Sequence, residues 1–111
     1  MEKFVKGNVV VIPFPFSDLK GTKRRPAFVI TDLPGDDIIL CQITSTARAD
    51  IFAIPLENED FTSGTLSINS FIRPNKIFTA DKKLILYKIG HLSNEKIFEI
   101  INSIISLLKH K

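Results

Sequence analysis

Two apolar stretches, residues 26–31 (PAFVIT) and 37–43 (DIILCQI), flank the loop Asp32-Leu33-Pro34-Gly35-Asp36, and this constrains the fold more than any other feature of the chain. Both stretches are rich in the β-branched and aromatic residues that strands favour, and Pro-Gly marks a tight turn. Together they predict an antiparallel hairpin centred on Pro34-Gly35. With Leu33 opposite Asp36, Arg25 faces Thr44, Ala27 faces Gln42 and Val29 faces Leu40 on one side of the ladder. The other side pairs Pro26 with Ile43, Phe28 with Cys41 and Ile30 with Ile39; it is wholly apolar and must be core. The first side is apolar far from Arg25 and polar near it. Opposed Cβ atoms lie roughly 5 Å apart, so this register brings Arg25 and Thr44 within joint reach of one phosphate. A slip of one residue would put them on opposite faces.

The tetrad Lys23-Arg24-Arg25-Pro26 leads into the first strand, and the hydroxyl pair Thr44-Ser45 closes the second. A permanent cation beside a hydroxyl is a minimal arrangement for handling a phosphodiester. The net charge of +3 is compatible with an anionic partner without being diagnostic. Its placement adds weight, because Lys20, Lys23, Arg24 and Arg25 cluster in one short stretch and Arg73, Lys76, Lys82 and Lys83 form a second group. The single cysteine, Cys41, excludes an internal disulfide and falls on the apolar side of the hairpin, as a core residue would. One Cys and two His are too few for a zinc site, so no metal is expected. The apolar residues 9–16 are too short a run to span a bilayer and contain two prolines, so no membrane association and a cytoplasmic location are expected.

At 111 residues the chain suits one domain, residues 1–111, with a single core. The continuous run Val9-Val10-Val11-Ile12 reads as a buried strand, and Pro13-Phe14-Pro15-Phe16 continues along an extended path. Residues 17–22 read as a polar loop. Strands are expected over 51–56, over 66–72 up to a break at Pro74-Asn75, and over 76–79, with Thr62-Ser63-Gly64 as a turn. Residues 84–92 fit either a strand or a short helix. Ser93 is a helix cap and Glu95 favours the first turn, while Ile97, Ile101, Ile104, Ile105 and Leu108 recur at helical spacing. The layout is therefore α+β: five to seven short strands, a curled barrel, and one C-terminal helix packed on the sheet.

Several motifs, in this order and spacing, resemble the MazF/PemK toxins of bacterial toxin–antitoxin pairs. They are Gly7-Asn8-Val9-Val10, Phe14-Pro15-Phe16-Ser17-Asp18, Lys23-Arg24-Arg25-Pro26-Ala27, Ile43-Thr44-Ser45, the stretch 70–73 and the stretch 77–81. The resemblance runs from about residue 5 to the C-terminal helix. It implies an SH3-like β-barrel with a C-terminal helix, a homodimer, and a metal-independent, cofactor-free endoribonuclease. That enzyme would cut single-stranded RNA at a short sequence, leave a 2′,3′-cyclic phosphate and a 5′-hydroxyl, and arrest growth unless neutralised by a cognate antitoxin. The family's catalytic arginine precedes a proline and falls on Arg25; its catalytic hydroxyl falls on Thr44. An auxiliary arginine of the PemK branch matches Arg73, and the serine earlier in that strand matches Ser70. Phe16, Ser17, Lys23, Arg24, Gln42, Ser45 and Asn75 complete the expected RNA-contacting set. Asn75 stands where the branch often carries an acidic residue, and Asn8 where aspartate is common, which reads as structural. Phe14 and Phe16 are either stacking surfaces beside the basic loop or core and dimer contacts.

Arginine keeps its proton near neutral pH, so Arg25 would stabilise developing charge rather than act as a base. Two other readings of the same residues stay open: a barrel that binds RNA or a peptide without cutting, and an interaction barrel whose basic loop is only surface.

Overall fold

In the computed structural model, which describes residues 3–14, 23–46 and 50–110, the Pro34-Gly35 turn forms where the sequence places it. Gly35 has φ +86°, a conformation that glycine adopts without a Cβ penalty. The turn joins β2 (Lys23–Asp32) to β3 (Asp37–Thr44). Ala27 pairs with Gln42, Phe28 with Cys41 and Val29 with Leu40, as expected. Nearer the turn the expected register fails: Ile30 is extra, and Thr31 pairs with Ile39 and Asp32 with Ile38. This bulge confines the slip to the turn end and leaves the Arg25 end in the predicted phase.

Around the hairpin are β1 (Asn8–Phe14), β4 (Ile54–Leu56), β5 (Phe61–Gly64), β6 (Ser70–Asp81) and β7 (Tyr87–Leu92). The sheet order is β4-β6-β3-β2-β1-β7-β5, antiparallel at every described pairing. The chain thus forms a curled seven-stranded half-barrel with one C-terminal helix, α1 (Asn94–Lys109). β1 lies between β2 and β7 and is covered on both faces, which is why its sequence is continuously apolar rather than alternating.

Several boundaries depart from the sequence reading: the strand expected over 51–56 is only Ile54–Leu56, and the one expected from residue 66 begins at Ser70. Residues 70–81 are one strand, not two, because β6 carries Pro74-Asn75-Lys76 as a bulge. The Thr62-Ser63-Gly64 segment belongs to edge strand β5. Residues 84–92 divide between the end of a 3-10 turn (Lys82–Leu84) and β7.

Two apolar clusters fill the two faces of the sheet. Phe28, Cys41, Ile43, Ile54, Ile72 and Leu92 pack with Ile100 and Ile104 of the helix. Val10, Ile12, Phe14, Ala27, Val29, Ile38 and Leu40 form the second cluster, against Phe78, Ala80 and Ile85. Phe14 is therefore core, with its ring edge-on to Phe78 at 4.8 Å. The helix starts as expected, with Ser93 Oγ accepting from Lys96 N at 3.2 Å, but its buried face is rotated. Ile100 and Ile104 are buried, whereas Ile105 and Leu108 are exposed. Asn8 is structural, as read: Oδ1 accepts from Val5 N at 2.9 Å, and Nδ2 lies 2.9 Å from His91 Nδ1.

Candidate active site

The site is built by strand alternation. β2 pairs with β1 so that Ile12 faces Arg25 and Val10 faces Ala27. β3 pairs with β6 so that Gln42 faces Arg73 and Thr44 faces Phe71. The β2–β3 pairs run to Ala27–Gln42; carried two residues further, that phase would set Arg25 opposite Thr44. Opposed residues share a face, so Arg25, Thr44, Gln42 and Arg73 all project on the face of the second apolar cluster, at its polar end. Diagonal neighbours on such a face are about 7–8 Å apart, which places Arg73 one step from Thr44.

Arg25 is half-buried, and its Nε is buried with no hydrogen-bond partner among the described residues. Leaving a buried donor unpaired costs about 1–3 kcal/mol, and more for a charged group. A charged guanidinium so placed is poised to take an anionic oxygen. Arg25 and Thr44 line one cleft of about 260 Å³ with Arg24, Pro26, Ile43, Ser45, Leu66, Ser67, Ile68 and Ser70. The two hydroxyls there differ in what they offer. Thr44 is buried, and its Oγ1 accepts from Thr46 N at 3.2 Å, which leaves its proton available to donate. Ser70 spends its proton on Ile68 O at 2.9 Å and holds its own loop, keeping only lone pairs.

Arg73 does not stand alone. Its Nε donates to Asp50 Oδ2 at 2.6 Å, and the Asp50 side chain is only 6% exposed. Burial pushes the Asp50 carboxyl up, but the Arg73 guanidinium and the Phe52 and Ala53 backbone N–H groups outweigh it and leave the pKa below the usual value. Asp50 is the residue that sequence reasoning missed. It is a lone acid in a loop, and only the fold brings it to an arginine 23 positions away.

Gln42 and Asn75 lie on a second hollow of about 250 Å³, with Phe14, Lys76, Ile77 and Phe78. Lys23, Arg24 and Ser45 are exposed, and Arg24 and Ser45 line the first cleft. Phe16 and Ser17 lie outside the described residues. The second basic group does not act as one patch. Lys82 is at the hairpin-turn end, 2.7 Å from Asp32 and bonded to Leu33 O and Gly35 O at 2.8 Å each. Cys41 is fully buried, and that burial pushes its thiol up to about 12, so it is no nucleophile. Among the described residues no group of three His, Cys, Asp or Glu side chains is placed to hold a metal ion. No described helix is long and apolar enough to cross a membrane.

Comparison with known proteins places these features in context. The profile of the PemK-like, MazF-like toxins of type II toxin–antitoxin systems matches residues 5–108. Among solved structures, a mycobacterial endoribonuclease in complex with its cognate antitoxin superposes with a TM-score of 0.77 at 12% identity, covering 98% of each chain. The MazE–MazF complex of Deinococcus radiodurans gives 0.75 at 19% identity, covering 97% of this chain and 98% of that one. Mycobacterium tuberculosis toxin MazF-mt6 gives 0.72 at 16% identity, covering 94% and 98%. At these identities the likeness is one of fold. No curated protein matches significantly.

Proposed function

Because the chain belongs to the PemK-like, MazF-like toxin family of type II toxin–antitoxin systems, we propose that it is an endoribonuclease that cuts single-stranded RNA without a metal. The observation that carries this reading is the buried, unpartnered Nε of Arg25 in the cleft it shares with Thr44.

The RNA's own 2′-hydroxyl attacks the adjacent phosphorus. The O2′–P bond forms, the P–O5′ bond breaks, and the ends left are a 2′,3′-cyclic phosphate and a 5′-hydroxyl. The 2′-hydroxyl gives up one proton and the leaving O5′ gains one. Arg25 supplies fixed positive charge to the non-bridging oxygens as negative charge grows on them, the kind of preorganised donor whose removal costs about a hundredfold to a thousandfold in rate. Thr44, with its proton free, holds a phosphate oxygen so that attack is in line. Arg73, Gln42 and Asn75 extend the same face along the RNA, and Lys23, Arg24 and Ser45 contact the backbone at its edge.

Two solved neighbours are described as complexes with an antitoxin or with MazE. By extension this chain is neutralised by a cognate antitoxin, an acidic chain that competes with RNA for the basic face. It acts as a homodimer in the cytoplasm. A second reading, an RNA-binding barrel that does not cut, draws on Asn75, an exposed amide in the β6 bulge where the branch often has an acid.

The test is cleavage of a long mixed-sequence RNA in excess EDTA by wild type and Arg25→Ala, with product ends mapped. Cutting at a recurrent short sequence, with cyclic phosphate ends and loss in the variant, is the expected result. RNA binding at low salt without cutting by either protein would replace this reading with the binding module.

A further inference from the structure

Resting on the endoribonuclease reading above, we infer that Asp50 is a positioning residue of the site, fixing the Arg73 guanidinium on the RNA-facing side of the sheet. Both carboxylate oxygens have assigned work. Oδ2 takes the Arg73 Nε–H at 2.6 Å, and Oδ1 takes the Phe52 N–H at 3.0 Å. The Ala53 N–H also returns to the Asp50 carbonyl at 3.3 Å, so the residue is anchored in its own turn. A long arginine side chain loses much rotamer freedom when held in one geometry. Here that ordering is done in advance by a nearly buried acid.

The point of attachment matters. Arginine carries five N–H donors, and a contact through Nε consumes one. The other four, on the two terminal nitrogens, remain for an acceptor. Arg73 lies opposite Gln42 and one diagonal step from Thr44, so those donors belong to the face that carries Arg25.

The same geometry decides against Asp50 as the proton acceptor. Both oxygens are engaged, the side chain is 6% exposed, and an arginine in contact lowers its basicity. A base would have to be reachable by the 2′-hydroxyl.

The experiment is a double-mutant cycle on a defined RNA, with Asp50→Asn, Arg73→Ala and the double variant, reading kcat, KM and the melting temperature. Asparagine keeps an oxygen for the Phe52 N–H, so the turn survives while the ion pair is lost. Partners that orient a functional group typically cost about tenfold to a hundredfold when removed. A loss of that size in kcat is expected for Asp50→Asn, with KM nearly unchanged and no further loss when Arg73 is already alanine. Full activity in Asp50→Asn overturns the inference. So does an equal loss in both backgrounds, which would mean that Asp50 acts independently of Arg73. If Asp50→Asn does not fold, Asp50→Glu, which keeps the charge but displaces it by one methylene, is put through the same cycle with the same criteria. A wild type that cuts no RNA overturns the endoribonuclease reading and this inference with it; a cutting wild type beside an unaffected variant overturns only this inference.

Discussion

Gln42 of β3 pairs with Arg73 of β6, whereas its neighbour Cys41 pairs with Ile77, so residues 74–76 have no counterpart on β3. The bulge lets one strand serve two purposes. Its C-terminal half packs Phe78 and Ala80 into the second apolar cluster, and its N-terminal half presents Arg73 beside Thr44. Pro74 lacks an N–H and is tolerated where the ladder is interrupted.

Thr44→Val keeps the side-chain shape and removes the hydroxyl. The Thr46 N–H loses its acceptor, a stability cost of about 1 kcal/mol. RNA cleavage is expected to fall about a hundredfold or more, with Thr44→Ser retaining most of it. Single-turnover cleavage alongside chemical denaturation separates the two effects; a Val variant as active as wild type removes Thr44 from the mechanism.

How much of this was legible in the sequence depended on how local the determining contacts are. The phase of Ala27–Gln42, Phe28–Cys41 and Val29–Leu40 followed from Pro34-Gly35 and the alternation of residues 26–43, all within one hairpin. The Ile30 bulge was hidden, because an extra residue in a uniformly apolar strand leaves no mark on the pattern. Pro74-Asn75 looked like a strand end, because in isolation Pro-Asn is a breaker; β3 pairs with β6 both before and after it and holds the strand together. The helix face was misjudged because isoleucines or leucines occupy 97, 100, 101, 104, 105, 107 and 108, so spacing alone admits more than one stripe. Asp50 was invisible, since nothing near it in the chain indicates Arg73.

Lys82 ties down the hairpin turn, and its effect should depend on pH. Its hydrogen bond to Asp32 is the largest influence holding that carboxyl below the usual 3.8, ahead of an opposing desolvation effect. A folded-state pKa that is depressed means that the stabilisation is present above the unfolded value and is lost as pH falls through the folded one. Asp50 has the same sign. Thermal stability should therefore be flat from neutral pH to about 5 as far as these two acids are concerned, then drop below about 4. Asp32→Asn should shrink that acid-side drop, and Lys82→Met should also lose about 1–3 kcal/mol at neutral pH through the two carbonyl bonds. Melting curves from pH 2.5 to 7 decide the matter: an unchanged acid limb in Asp32→Asn would mean that the pair contributes nothing in solution.

Two glycines with positive φ should behave differently on substitution. At Gly64, φ is +74°, and an added Cβ would lie 2.0 Å from Ile89 O and 2.7 Å from Gly90 Cα, both backbone atoms of β7. At Gly35, φ is +86° but nothing lies within 4 Å. Gly35→Ala should cost about 1–2 kcal/mol, the left-handed penalty alone. Gly64→Ala must also push β5 off β7, and a loss of about 3 kcal/mol or more is expected. Denaturant midpoints for the two variants test the order, and equal losses would mean that the β5–β7 approach is looser than the structure shows.

The helix offers a final contrast. Ile104 is 6% exposed and packs between the helix and the sheet, whereas Leu108, one turn further on, is 70% exposed. Truncating a buried isoleucine leaves a cavity as well as losing its transfer energy, so Ile104→Ala should cost about 2–5 kcal/mol. Leu108→Ala should change stability by no more than about 0.5 kcal/mol. Urea denaturation at low and high protein concentration makes the comparison informative in both directions. A small Leu108 effect at every concentration leaves that end of the helix in solvent. A loss approaching that of Ile104, growing with protein concentration, would show that a second copy covers Leu108 in solution, because only an association between chains makes stability depend on concentration.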